Sequence, residues 1–382
     1  MSQDQIRVGI AGLGRSGWSI HAALLEPLAH QFQVVAVVDA DPARREEAIE
    51  RFDCQAYDSY DALLADPAVE LIVVSLPNFL HADAAIQALA AGKHVVCEKP
   101  MATSLADADR MVAAAATSDK VLTIFQQRRY NPDFVKVKEV IDSGILGRIV
   151  QIRLCANGFS RRWDWQTLQK FGGGSLNNTG PHFLDMALQL FGQAEIQAFC
   201  HLDRTLTLGD ADDHVKLLLK GEGAPTIDIE ISSAAAYPSE MWTVLGTRGG
   251  LTGGARELHW KWVVDGEMPH RELDTAPTPN RSYNRDQLIW HEEQWTLDDS
   301  GSDAHAQFYT DLFATIRGEK PLVITPESVR RVIWLQRGMP PPEPIDADNF
   351  LRTCPENKRT QRRKDAKRKQ VSSPVACRQV HG

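Results

Sequence analysis

The segment "GLGRSG", Gly12 to Gly17, lies between the β-branched run "IRVGIAG" and a helix-like stretch, and Asp39 closes the next apolar run, "QVVAVVD". Glycines at this spacing, after a strand and before a helix, suit phosphate binding. Gly12 permits a tight turn, Gly14 lets the backbone approach a pyrophosphate, and Gly17 allows close packing of a helix whose first N–H groups face the anion. Leu13, Arg15 and Ser16 belong to the same cradle. Asp39 would accept hydrogen bonds from a ribose 2′-hydroxyl and repel a 2′-phosphate, which predicts NAD ahead of NADP. Arg44 and Arg45 cut the other way, because a nearby arginine can hold that phosphate; they serve equally as surface charges of a helix. A second signal is "VVCEKP", where a short apolar run stops at Glu98, Lys99 and Pro100 and so reads as a buried strand ending in two charges and a proline.

Positioning these residues takes a parallel sheet. "IRVGIAG", "QVVAVVD", "ELIVVSLP", "KHVVCEKP" and "VLTIF" alternate with alanine-rich helical stretches, which predicts βαβ units and a doubly wound α/β domain over residues 1–125. Ligands of such sheets bind beyond the carboxyl ends of the strands, where the loops carrying Gly12, Asp39, Ser75 and Lys99 all lie. Lys99 therefore points into a crevice. From residue 126 to 337 the runs "GRIVQIRLCA", "IQAFCHLD", "HVKLLLKG", "PTIDIEISSAA", "EMWTVLGT" and "ELHWKWVVDG" predict a second α/β domain with a large, open, mostly antiparallel sheet. The helix "TGPHFLDMALQLFG" interrupts it, and two late helices follow, the second started by Thr325-Pro326. Residues 338–382, proline-rich and then basic from Lys358 to Lys369, are expected to be a disordered tail.

Composition narrows the classes. A chain of 382 residues has room for two full cores, and its net charge of −8 argues against nucleic acid as the partner of its body. No apolar run is long enough to cross a bilayer and no secretory pattern opens the chain, so the protein is expected to be cytoplasmic. Cys54, Cys97, Cys155, Cys200, Cys354 and Cys377 show no metal-ligand spacing, and the twelve histidines form no metal motif; no metal is expected.

"GIAGLGRSG", "VVSLPNFLHADAAIQALAAGKHVVCEKPMA", "QRRYNP" and "GGGSLNNTGPHFLDMALQLFG", in this order, resemble the glucose–fructose oxidoreductase, inositol dehydrogenase and rhizopine-catabolism (Gfo/Idh/MocA) family. The resemblance implies an NAD(P)-dependent oxidoreductase of sugars, polyols or inositols. It places Lys99 and His182 at the reacting centre, gives cofactor contacts to Ser75, Pro77, Asn78, His81 and Glu98, with local packing at a helix start as the other reading of His81, and implies a cis bond at Pro100. On residue type alone Lys99 is a surface partner of Glu98 and His182 a capped helix residue; the resemblance singles them out. The family's usual aspartate one turn before the histidine is Asn178 here, which can orient a hydroxyl but takes up no proton. Arg162, Trp163 and Trp165 suit sugar hydroxyls and ring faces, with core packing as the other reading of the tryptophans. Asp185 either orients the imidazole, serving the substrate site, or projects to solvent. The open sheet implies a homodimer or homotetramer. Transient oxidation in glycoside cleavage, and a dinucleotide-binding sensor without catalysis, are the alternatives.

Overall fold

The computed structural model describes residues 5–273, 275, 283–298 and 304–338. The expected tail lies outside the described residues apart from Gly338.

Six strands form one parallel sheet: β1 (Ile6–Ala11), β2 (Phe32–Val38), β3 (Gln55–Tyr57), β4 (Leu71–Val74), β5 (His94–Cys97) and β6 (Leu122–Ile124). Their order is β3-β2-β1-β4-β5-β6. Helices cover both faces, which is why β4 is unbroken aliphatic sequence and wholly buried. β3 went unread because three residues show no period. The strand order reverses between β1 and β4, the point at which doubly wound sheets bind their ligands. Helix starts follow local chemistry: Asp41 and Ser104 cap Pro42–Phe52 and Leu105–Thr117, and Thr325 caps Pro326–Arg337 by accepting from Ser328 N–H. The segment after the glycine cradle opens as a π-helical turn, Gly17–Ala22.

The second sheet has eight strands: β7 (Ile149–Asn157), β8 (Gln197–Asp203), β9 (His214–Lys220), β10 (Thr226–Ser232), β11 (Trp242–Gly246), β12 (Gly249–Gly253), β13 (Glu257–Trp262) and β14 (His291–Thr296). Their order is β14-β13-β12-β11-β7-β10-β9-β8. Every neighbouring pair is antiparallel except β7 and β10. Alternation decides the faces. Val215, Leu217, Leu219, Ile227, Ile229 and Ile231 are buried in one core with the helix Gly180–Phe191. Between them, Lys216 and Arg153 point the other way and pair with Asp228 and Glu230 on the uncovered face.

The late helices join both cores. Phe308, Tyr309 and Leu312 of Ala306–Ile316, with Val329 and Ile333 of Pro326–Arg337, are buried in the core of the first sheet. Val332 and Leu335 of the second helix enter the other core. Polar contacts follow the same route: Thr123 Oγ1 donates to Ile324 O at 2.8 Å, and Gln336 Nε2 donates to Asn177 Oδ1 at 2.8 Å.

Candidate active site

The glycine cradle is built by close approach. A Cβ on Gly17 would stand 1.9 Å from Gly12 O, and one on Gly12, at φ +92°, would stand 2.6 Å from Ser75 O. Nothing lies within 4 Å of the corresponding position on Gly14, so its open side is free for a ligand at the start of the helical turn. Asp39 orders the loop itself: Oδ2 accepts Leu13 N–H at 2.7 Å and Oδ1 accepts Asp41 N–H at 2.9 Å. Arg44 Nη1 stands 3.6 Å from Asp39 Oδ2, and Arg45 donates to the Asp39 carbonyl at 2.7 Å. Arg15 is exposed and Ser16 is the N-cap residue of the turn. These residues fit the pyrophosphate and ribose of a dinucleotide.

Across the crevice, Ser75 Oγ donates to Gly12 O at 2.9 Å, Pro77 leads into the turn Asn78–Leu80, and His81 begins the next helix. Of the two readings of His81, its burial matches local packing at the helix start. Its ring is 1% exposed, with Nδ1 at 2.8 Å from Pro100 O and Nε2 at 2.9 Å from Leu76 O. Burial, against the pull of these two carbonyls, holds its pKa below the ordinary value. His81 therefore ties the loop after β4 to the loop after β5. Glu98 is likewise buried, and its Oε2 accepts the N–H of Lys99 at 2.9 Å.

Lys99 precedes a cis bond to Pro100. Its ammonium crosses to the second half of the chain and donates to the main-chain carbonyl of Asn178 at 3.2 Å. Burial lowers its pKa, Glu98 opposes, and Arg128 and Arg15 lower it further. His182 sits in the first turn of Gly180–Phe191, 7% exposed, with Nδ1 unpartnered. Burial, then Lys99, Arg128 and His305, push its pKa well below the ordinary imidazole value, so the ring is neutral. Asn178 meets Lys99 through its carbonyl, while its Nδ2 stands 3.4 Å from Gln166 Oε1.

A cavity of about 450 Å³ opens beside Asn178, lined among others by Asn157, Ser160, Gln166, Ser175 and Thr179. Arg162 reaches this wall, held by Asp164 at 2.9 Å and Gln166 at 2.7 Å. Trp163 and Trp165 are 76% and 57% exposed, which corrects the core-packing reading of the two rings; neither they nor Lys99 and His182 line this cavity. Asp185 is corrected on both readings. It is buried and gripped by Arg129, Nε to Oδ2 at 2.8 Å and Nη2 to Oδ1 at 2.6 Å, so it neither reaches solvent nor orients His182.

Sequence reasoning passed over Arg128 and Gln166. Arg128 lies 5.3 Å over the Phe183 ring, near enough to influence both Lys99 and His182; its signal was the motif "QRRYNP". Gln166 lay unremarked inside the Arg162 segment. Among the described residues, no group of three or more His, Cys, Asp or Glu side chains is placed to hold a metal ion, and no helix is long and apolar enough to cross a membrane.

Residues 6–126 match the family model described as an oxidoreductase family with an NAD-binding Rossmann fold, and residues 134–252 match the GFO/IDH/MocA C-terminal domain. An uncharacterised oxidoreductase of Schizosaccharomyces pombe is 32% identical over 302 residues, 76% of this chain and 79% of that protein. The scyllo-inositol 2-dehydrogenase (NADP(+)) IolW of Bacillus subtilis is 32% identical over 192 residues, 50% of this chain and 52% of its own. Among solved structures, an NAD-binding protein of Listeria innocua superposes with a TM-score of 0.71 at 24% identity, covering 87% of this chain and 96% of that one. The WlbA dehydrogenase of Bordetella pertussis, in complex with NADH and UDP-GlcNAcA, gives 0.69 at 22% identity, covering 88% and 95%. The chain is an NAD(P)-binding oxidoreductase of the Gfo/Idh/MocA family.

Proposed function

We propose that the protein is an NAD-dependent dehydrogenase or reductase that moves a hydride between the nicotinamide and a CH–OH carbon of a sugar, polyol or inositol-type substrate. The observation that carries this reading is the Lys99 ammonium donating to the main chain of Asn178, which lines a cavity rich in hydroxyl and amide groups and stands four residues before a buried His182 with an unpartnered Nδ1. Bound in the Gly12–Gly17 cradle, the cofactor would take up or return the hydride. The carbinol proton has to leave as the hydride does, so the site needs a base and a group to stabilise the oxyanion. Neutral His182 fits the first role and the Lys99 ammonium the second. A desolvated lysine also titrates nearer neutrality, so the reverse assignment is tested alongside. Asn178, Gln166 and the hydroxyls of Ser175 and Thr179 would orient the substrate's own hydroxyls without exchanging protons.

Asp39 favours NAD. Arg44 beside it is the feature that would serve NADP, the cofactor in the name of the Bacillus subtilis relative. Assembly as a homodimer or homotetramer through the uncovered face of the second sheet belongs to the same reading. A second reading, a sensor that binds the cofactor without turnover, draws on Asn178 standing where the family has an aspartate.

The test is a sugar and polyol panel assayed with NAD and NADH, with calorimetry of both cofactors. Net NADH change on a polyol or sugar is expected, with NAD the tighter ligand and Asp39→Ala narrowing the gap. Tighter NADP binding refutes the cofactor preference. Cofactor binding with no turnover on any substrate favours the sensor, and product without net NADH change favours glycoside cleavage.

A further inference from the structure

A buried polar chain runs beneath Lys99, and the reaction described above leaves it without a role. Glu98 is 5% exposed; its Oε2 accepts the Lys99 N–H, and its Oε1 stands 3.3 Å from His21 Nε2. His21 is fully buried, and its Nδ1 lies 2.7 Å from the hydroxyl of Tyr309, which is also fully buried. His21 belongs to the turn Gly17–Ala22 directly after the glycine cradle, and Tyr309 to the helix Ala306–Ile316. Three elements remote in sequence therefore meet at the residue preceding Lys99.

Burying a carboxylate, an imidazole and a phenol together costs several kcal/mol that an apolar trio would not, offset in part by the Lys99 N–H bond to Glu98 and the His21–Tyr309 contact, while His21 Nε2 approaches Glu98 Oε1 without a well-formed hydrogen bond. We propose that Glu98, held by His21 and Tyr309, is a positioning residue for Lys99: it fixes the lysine's main chain and supplies the negative charge against which the ammonium is balanced. The proposal rests on the reading of Lys99 as a proton-handling residue.

The groups that bear on Glu98 are His21, Lys99, His81, Cys97 and Tyr309. Burial pushes the Cys97 thiol and the Tyr309 hydroxyl well up, so both stay neutral. Burial also raises the Glu98 carboxyl, but His21 and Lys99 more than offset it, leaving a carboxylate below its ordinary value. Glu98 is in turn the group that raises the Lys99 pKa against burial.

Glu98→Gln keeps the shape and removes the charge. Two readouts are used: the pKa of Lys99 followed by NMR of ¹³C-labelled lysine, with Lys99→Met to assign the signal, and steady-state kinetics with cofactor affinity. In Glu98→Gln the Lys99 pKa is expected to fall and kcat to drop between about tenfold and a hundredfold, while NAD affinity holds within about twofold. Tyr309→Phe, which keeps the ring packing, is expected to lower kcat severalfold with NAD affinity intact; it carries the test alone if Glu98→Gln does not fold. A Lys99 pKa unmoved in folded Glu98→Gln, or wild-type kcat in Tyr309→Phe, overturns the proposal. Full turnover in Lys99→Met would overturn the reading of Lys99 instead, and the NMR titration separates the two failures.

Discussion

On the proposed reading, His182 and Lys99 split acid and base work between two side chains whose environments hold them in different protonation states. The depressed His182 pKa places the limb for a histidine base on the acid side of the ordinary imidazole value of 6.5. It also costs stability in acid: below about pH 6.5 the unfolded chain takes up a proton that the folded ring refuses, so stability falls with falling pH. In Asn178→Asp a carboxylate enters near the ring and favours imidazolium, so the limb is expected to move to higher pH by on the order of one unit. The pH–rate profile checks this. A limb that stays put in Asn178→Asp and vanishes in Lys99→Met makes Lys99 the base. At this scale Gly12 and Lys99 stood out because their signal lies in a few adjacent letters. Asp185 did not, because its partner Arg129 is far away in the chain and only folding brings the two together.

At the scale of elements, the glycine cradle separates architecture from binding. Gly14→Ala places its Cβ in open space, so the free protein should melt within about 2 °C of wild type while NAD affinity falls more than about tenfold. Gly17→Ala drives a Cβ against the Gly12 carbonyl and should lose both stability and affinity. Calorimetry and thermal unfolding of the two variants check the contrast; a Gly14→Ala protein that binds NAD normally would show that the cofactor does not approach there. Strands with a long apolar run or clear alternation were legible. β12 was not, because three of its five residues are glycine, and neither was β14, whose "HEEQWT" lies mostly exposed at the sheet edge. The helix Pro132–Asp142 went unread behind the motif "QRRYNP".

For the whole molecule, the two sheets were legible because each has its own period, unbroken in the first and alternating in the second. Less legible was how the halves are joined, since the helix Pro326–Arg337 serves both cores. Truncation after Gly338 keeps all of Pro326–Arg337, including the buried Gln336 that holds Asn177. The shortened protein is expected to keep its melting temperature within about 2 °C, its NAD affinity, and a dimer or tetramer mass by light scattering. A large fall in melting temperature would show that the tail packs on the body, and a monomer mass would refute assembly. The late helices also have a consequence in time. On the ribosome the last strand of the nucleotide-binding sheet is complete once residue 124 is made, but the side chains that complete its core, Phe308, Tyr309, Leu312, Val329 and Ile333, are synthesised only after the whole second sheet. Until then the nascent first half carries an open apolar surface and a Glu98–His21 pair without its phenol, so the half made first is finished last.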